Sequence, residues 1–360
     1  MTSGPSLEPR PEVAAVRAGE ELDWVTLERY LVEHLDVAPP MHVLQFPNGS
    51  ANLTYLVRFG DDRFVVRRPP FGRIAPGAHD MRREHRTLSR LWQGYPPAPR
   101  AYLFCDDHTV IGSDFTVMEY RTGVVIWGVM PASMRGHDDV GHRVGLAVVD
   151  ALADLHRVDP AAVDLGDLGR PEGFVERQVH GWSQRWELAA LPDSDPLMGA
   201  VGHRLAASMP DSRYASILHN DFKLDNCQFD PADPDRVKSV FDWDMATLGD
   251  PFVDLGITLN YWPDPADVDD LKPIMNPGTD ELGLPTRAEV IDRYATRTGF
   301  DVADVRWYEA FAAWKTAVVL QQLYARWVRG ESTDPRMAER GPMVAGQVRR
   351  AAAILDGTAP

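Results

Sequence analysis

The chain has 360 residues, 44% hydrophobic and 25% charged, with a formal net charge of −16, enough to bury a sizeable core in two unequal domains. It has no run of eighteen apolar residues, and residues 1–11 are rich in Pro, Ser and Glu without an apolar stretch, so the expectation is a cytoplasmic protein with neither membrane span nor secretion signal. Residues 1–120 carry 13 Arg against 16 Asp and Glu, −3, leaving −13 for the remainder; no basic stripe is present to neutralise phosphates, which argues against nucleic acid as a partner. In chain order, Trp24, Leu27, Leu31 and Leu35 fall at helical spacing and predict a first helix with a core-facing stripe. Strand-like runs follow over 41–46, 52–59 and 63–67, the last two joined by a Gly60-Asp61 hairpin turn. Between the first two, Asn48-Gly49-Ser50 forms a small turn whose amides could approach the β- and γ-phosphates of a nucleotide, with Asn52 or Thr54 nearby.

Along the third strand, alternation turns Arg67 inward with Val65 and Arg68 outward; a plain edge strand with solvated arginines is the alternative. A helix over about 78–92 sets Glu84 on the same face as Met81, Leu88 and Leu91. A carboxylate on an apolar stripe needs a partner; Arg67 is the candidate, and Arg83 or Arg86 the surface alternatives. The strand 114–120 leads out of the first domain through Met118-Glu119-Tyr120, a hinge where backbone groups would read an adenine, and Gly123 lets the chain turn. The helix 141–156 buries Val144, Val148, Leu152 and Leu155, with His156 expected to cap carbonyls at its end. The helix 173–188 carries Val175, Val179, Trp182 and Trp186 at core spacing.

Residues 219–226 read His-Asn-Asp-Phe-Lys-Leu-Asp-Asn, and a short strand at 237–241 ends in Asp242-Trp243-Asp244. This order suits phosphoryl transfer from Mg-ATP, which asks a protein to position a hydroxyl, spread charge and hold magnesium. Asp221 would accept the proton of an attacking hydroxyl, Asn226 and Asp242 would be hard oxygen ligands for Mg²⁺, and Lys223 would lie beside the transferring phosphate. A histidine placed like His219 holds the loop's backbone more often than it acts as a general acid. Cys105 and Cys227 are far apart, against a disulfide framework or a zinc site, and Cys227 reads as a small buried packing residue. Asp250 before Pro251 looks like a helix N-cap, residues 263–287 read as a mobile loop able to cover a substrate, and 307–328 is a long, mostly apolar helix.

The string at 219–226, the run Phe-Asp-Trp-Asp-Met-Ala-Thr-Leu-Gly-Asp-Pro-Phe-Val-Asp-Leu-Gly from 241, and Asn48-Gly49-Ser50-Ala51-Asn52-Leu53-Thr54-Tyr55 resemble the aminoglycoside phosphotransferase family of small-molecule kinases. Within it the sequence is most similar to the branch whose animal members are fused to acyl-CoA dehydrogenase domains, and the resemblance runs from about 43 to 330. It implies an α+β, two-lobed, protein-kinase-like fold. Residues 1–120 would form a small N-lobe of antiparallel sheet and helix, residues 121–360 a larger, mainly helical C-lobe, and ATP with Mg²⁺ would sit in the cleft. It further implies that Asp254 braces the catalytic loop and that Arg177, Gln178 and Trp182 are candidates for substrate contact. Two departures stand out. No lysine precedes Lys223, so Arg67 would replace the usual phosphate-gripping lysine, and Asp244 stands where the branch usually has glutamate.

A small-molecule hydroxyl is the expected acceptor. By resemblance a hydroxyacyl-CoA or hydroxy acid comes first and an aminoglycoside or choline-like amino alcohol second. The acidic C-lobe is compatible with the latter, although solubility alone accounts for it. A non-catalytic nucleotide-binding module is a third reading. A protein kinase is disfavoured, because there is no Asp-Phe-Gly or Ala-Pro-Glu string and about nine residues separate Asp242 from Pro251. No serine or cysteine elbow supports a hydrolase built on His219.

Overall fold

The computed structural model describes residues 12–47, 52–72 and 79–359. The expected turn Asn48-Gly49-Ser50 lies outside the described residues. The chain opens with α1 (Trp24–His34), started by the Asp23 carboxylate, which accepts the Thr26 N–H at 3.0 Å. Next come β1 (Met41–Gln45), β2 (Leu53–Phe59), β3 (Asp62–Arg68), α2 (Met81–Leu91), β4 (Ala101–Cys105), the short α3 (His108–Ile111), β5 (Phe115–Glu119) and β6 (Val124–Val125). The first five strands form one antiparallel sheet in the order β1-β2-β3-β5-β4, so β3 is central and the edge-strand alternative fails.

The two faces of β3 meet different neighbours. Val66 packs in a cluster with Leu27 and Leu31 of α1, Val110 and Ile111 of α3, and Phe115 and Val117, whereas Val65 faces the larger core of the molecule. Arg68 leaves on the α1/α3 face, as alternation requires, but it does not reach water. It is 4% exposed, its guanidinium donates to the Ile111 carbonyl at 3.0 Å and the Pro69 carbonyl at 2.9 Å, and it stacks over Phe71. The outward-facing expectation is therefore corrected: the helices α1 and α3 cover that face of the sheet.

The rest of the chain is mainly helical: α4 (Val140–His156), α5 (Phe174–Ala189), α6 (Leu197–Ala207), then β7 (Ser216–Leu218), β8 (Cys227–Asp230), β9 (Asp233–Val240) and β10 (Thr247–Gly249), then α7 (Phe252–Asn260), α8 (Arg287–Thr298), α9 (Val305–Val328), the short α10 (Pro335–Ala338) and α11 (Gly341–Leu355). The helix α9 is the axle of this lobe, packed by α5, α7 and α11. Gly256 of α7 lets the two backbones meet, since a Cβ there would lie 2.4 Å from the Tyr308 carbonyl oxygen. Gly123 matters in the same way and not as the conformational swivel expected: its Cβ would meet the Phe229 carbonyl oxygen at 2.6 Å. Among the described residues no helix is long and apolar enough to cross a membrane.

Deep in this lobe, Arg287 pairs with Asp267, and Arg350 with Glu309 at 2.8 Å, all four side chains at most 4% exposed. The 263–287 segment is anchored by Arg287 and, at its middle, by Asn276, which donates to Asp225 at 3.2 Å.

Candidate active site

The segment 219–226 hangs between β7 and β8 and is held from beneath by one carboxylate. Asp254, in the first turn of α7, where the helix dipole favours negative charge, accepts the N–H groups of His219 and Asn220 at 2.6 Å each. Burial pushes this carboxyl up, but the His156 hydrogen bond and charge outweigh it and hold Asp254 below the usual carboxylate range. His156 bonds Asp254 through Nε2 at 3.3 Å and the Tyr294 hydroxyl through Nδ1 at 2.7 Å. It does not cap the end of α4, as expected; the Arg157 N–H already meets the Ala153 and Leu155 carbonyls there. Asp250 accepts the Phe252 N–H at 3.0 Å at the start of α7 and also takes the Ser212 and Tyr308 hydroxyls.

Both ring nitrogens of His219 are spent on backbone: Nδ1 accepts the Asp221 N–H at 3.2 Å and Nε2 donates to the Phe241 carbonyl at 2.7 Å. The ring thus ties the two arms of the site together. Asn220 and Asp242 take left-handed backbone, φ 66° and 71°, which Asn and Asp tolerate best among non-glycine residues. The Asn220 amide pays part of that strain by donating to the Met245 carbonyl at 2.9 Å.

Asp221 is gripped on one side. Lys223 Nζ at 2.7 Å and Asn226 Nδ2 at 3.1 Å both donate to Oδ2, and among the described residues no donor reaches Oδ1. The Asn226 amide also donates to the Asp221 carbonyl at 2.8 Å, which leaves its own oxygen for a cation. Burial pulls the Lys223 ammonium down, but Asp221 and Asp225 overcome this and raise it, so it stays charged; Tyr261 lies under it. Burial likewise raises Asp225, against the pull of Lys223. Cys227 is fully buried and its thiol is pushed up by that burial.

From the sheet lobe, Arg67 reaches the site. Arg67 pairs through one arm with Glu84 of α2 and through the other with Asp242. Burial pushes Asp242 up, yet Arg67 wins and holds it below the carboxylate range. Glu84 is pushed up to about 7 by burial that Arg67 only partly offsets. Asp244 is raised by burial and by Asp242; its oxygen accepts from Asn52 at 3.1 Å, and the Asn52 carbonyl meets His79 at 2.9 Å. Asn52 therefore commits its side chain to a link between the lobes.

At the hinge, Met118 is buried, Glu119 donates its N–H to the Arg100 carbonyl at 2.8 Å, and Tyr120 reaches Glu12. Arg121 was not singled out from sequence; it binds the carbonyls of Pro96, Ala98 and Lys238 and so joins the lobes. On α5, Trp182 is buried and donates to Gln178 at 3.2 Å, whereas exposed Arg177 turns back to the carbonyls of Arg170 and Glu172. Beside Lys223 opens a cavity of about 230 Å³, lined by Ile126, Tyr261, Trp262, Ile274 and Met343, with Arg340 at its wall.

The model of the phosphotransferase enzyme family matches residues 42–311. The chain belongs to this family. The phosphotransferase is 30% identical over 342 residues to mouse acyl-CoA dehydrogenase family member 10, covering 92% of this chain and 31% of that protein. Against human acyl-CoA dehydrogenase family member 11 the identity is 30% over 340 residues, 90% of this chain and 42% of the relative. The chain thus spans less than half the length of these curated relatives. Among solved structures it resembles a candidate aminoglycoside phosphotransferase from Ralstonia eutropha, with TM-score 0.75, 29% identity and coverage of 92% of this chain and 99% of that one. It also shares its fold with macrolide 2'-phosphotransferase type I, TM-score 0.60 at 19% identity, covering 92% and 98%. The chain is therefore an α+β, two-lobed, protein-kinase-like member of the phosphotransferase enzyme family.

Proposed function

We propose that the phosphotransferase moves the γ-phosphoryl group of ATP to the hydroxyl of a hydroxyacyl-CoA or related hydroxy acid. The observation that carries the reading is the one-sided grip on Asp221. Lys223 and Asn226 fix Oδ2, so Oδ1 is left to accept the hydrogen bond and then the proton of the incoming hydroxyl. Lys223, fixed beside that carboxylate, meets the negative charge of the transferring group. Asp242, kept ionised by Arg67, and the free oxygen of Asn226 form a hard oxygen pair that suits Mg²⁺. Among the described residues no cluster of three or more His, Cys, Asp and Glu side chains forms a metal cage, which fits an ion that draws further ligands from nucleotide phosphates. When bound, the ion supplies charge neutralisation on those phosphates.

Arg67 would meet the α- and β-phosphates while keeping Glu84, residues 1–120 would cover the nucleotide, and the backbone at Met118–Tyr120 would read the base. The acyl preference is supported by the apolar walls of the cavity beside Lys223 and by relatives in which a matching segment accompanies an acyl-CoA dehydrogenase. The test is ATP consumption against hydroxy acids, their coenzyme A thioesters and amino alcohols, with wild type and Asp221→Asn. Wild type should turn over the acids or thioesters, and Asp221→Asn should keep ATP affinity while losing about 10²- to 10⁴-fold in turnover. ATP affinity that falls in step with rate would remove Asp221 from the base's role.

A further inference from the structure

The cavity beside Lys223 joins two distant parts of the chain. Lys223 and Asp225 reach it from the Asp221 loop, and Arg340 and Met343 reach it from the start of α11. Lys223 is also bonded to Asp221 at 2.7 Å, so one side chain links the cavity to the proposed base. Most of the polar lining is already committed: Asn276 donates to Asp225 at 3.2 Å, the Thr279 hydroxyl to the Asn276 carbonyl at 2.8 Å, and the Thr258 hydroxyl to the Phe222 carbonyl at 2.9 Å. Arg340 is not. Among the described residues its side chain forms no ion pair and meets no oxygen; one guanidinium nitrogen lies 3.8 Å from the Met343 sulfur, a weak acceptor. Asp334 feels the Arg340 charge without pairing with it, and Arg336 already holds both Asp334 oxygens, at 3.0 and 2.7 Å. Packing places the arginine instead: the adjoining Gly341 sits against the Tyr324 ring of α9, where a Cβ would lie 2.8 Å from a ring carbon.

A fork of charged N–H donors on a cavity wall, with no anion to take them, is matched by a ligand that carries one. Asp225, also in the lining, is bonded by Asn276 and its charge acts on Lys223, which leaves Arg340 without a counter-charge of its own. Arg340 is half-buried, so the wall it forms borders water. A hole of roughly 150 Å³ takes up benzene, so one of about 230 Å³ holds a short carbon chain with a polar group at each end, and Ile126, Ile274 and Met343 give that chain apolar walls. We propose that Arg340 is a specificity-determining residue that receives an anionic oxygen of the acceptor, while the acceptor's hydroxyl lies at the Lys223–Asp221 end of the same cavity. That oxygen belongs to the carboxylate of a free hydroxy acid held within the cavity, or to a phosphate of a coenzyme A thioester at its open side. This inference rests on the phosphotransferase reading with Asp221 as base, and it narrows the acceptor class of that site.

The test compares the full chain with Arg340→Met and Arg340→Lys on five acceptors of one carbon skeleton: a hydroxy acid and the matching diol, its coenzyme A thioester and its pantetheine thioester, and an amino alcohol. The diol and the pantetheine thioester are the uncharged members of the two pairs. In wild type, kcat/KM for at least one anionic member should exceed that for its uncharged partner. Arg340→Met should reduce that ratio about 10- to 100-fold, mainly through KM, as expected for a lost charge-assisted contact. Arg340→Lys should recover part of the ratio, because the charge remains while the fork is lost. A loss confined to the acid pair identifies a carboxylate as the group received, and a loss confined to the thioester pair identifies a phosphate. Equal losses on charged and uncharged members report damage to packing and overturn the inference. So does a wild-type ratio no greater than one, a ratio that Arg340→Met leaves unchanged, or one that lysine does not raise above the methionine value; wild-type turnover of the acid or a thioester then leaves the proposed function in place. If wild type turns over none of the five, or the amino alcohol alone, the proposed function falls and takes this inference with it.

Discussion

In the helical lobe, Arg287, Arg350 and Arg306 meet Asp267 and Glu309, so each carboxylate has more than one arginine. In the cleft, among the described residues, Arg67 meets Glu84 and Asp242 while the only ion-pair partner of Asp244 is His79, at 3.9 Å, so one arginine stands among three carboxylates. The carboxylates of the helical cluster are at most 3% exposed, whereas Asp242 in the cleft is 29% exposed, so exposure and charge both distinguish them. A cluster in which arginines match every carboxylate completes itself and holds helices in register. An unbalanced one stays stable only while its carboxylates are partly protonated or a further cation arrives, and the raised Glu84 and Asp244 carry that imbalance. The cleft thus keeps an excess of carboxylate that the Arg287 cluster does not.

Removing Asp242 should break this comparison most severely. Asp242→Ala is expected to reduce turnover about 10²- to 10³-fold, the loss typical of one preorganised charge at a reacting centre. It should also weaken Mg-ATP binding more than metal-free ATP binding. Titration calorimetry with and without Mg²⁺ checks this, and equal losses in both titrations would take Asp242 out of the metal site.

Arg67→Ala comes next, because among the described residues it removes the arginine that pairs with buried Glu84 and partly exposed Asp242. Thermal and denaturant unfolding should show a loss of about 3–5 kcal/mol, and KM for ATP should rise. Arg67→Lys should keep part of the activity, since a point charge can meet one carboxylate without the fork that here reaches both. If Arg67→Ala leaves both stability and kinetics unchanged, the cleft cluster is not the organising feature described here.

Glu309→Gln sharpens the contrast from the other side. It removes the Glu309 charge from Arg287, Arg350 and Arg306, and about 3 kcal/mol of stability should be lost, with kcat and KM per folded molecule unchanged. A change in KM for ATP would mean that the two clusters communicate.

How much of this was legible beforehand depended on how far apart the partners lie in the chain. Asp221, Lys223 and Asn226 fall within six residues, so their mutual geometry was nearly fixed by local sequence, and Asp242 follows at the end of one short strand. Arg67 and Glu84 could be paired because two periodicities, strand alternation and the helical stripe, pointed both side chains inward. The Asn52–Asp244 link spans 192 residues and the His156–Asp254 contact 98, and no local pattern announces either.

Arg68 shows the remaining limit, since alternation identified its face correctly but could not say what covers that face. The sheet surface opposite the cleft is closed by α1 and α3, and Arg68 ends against the Ile111 carbonyl at the C-terminal end of α3, where a cation is favoured. Its role is therefore structural. Arg68→Ala should cost about 1–2 kcal/mol, from hydrogen bonds to two carbonyls and the stacking of its guanidinium over Phe71, while KM for ATP stays within error of wild type. Arg68→Met, which keeps the stem and gives up the guanidinium, should recover only the share of that loss due to stem burial in denaturant unfolding. If instead Arg68→Ala raised KM for ATP as much as Arg67→Ala does, the division of β3 into a nucleotide-facing side and a packing side would be wrong, because the two arginines lie on opposite faces of one strand and cannot both reach the same phosphates.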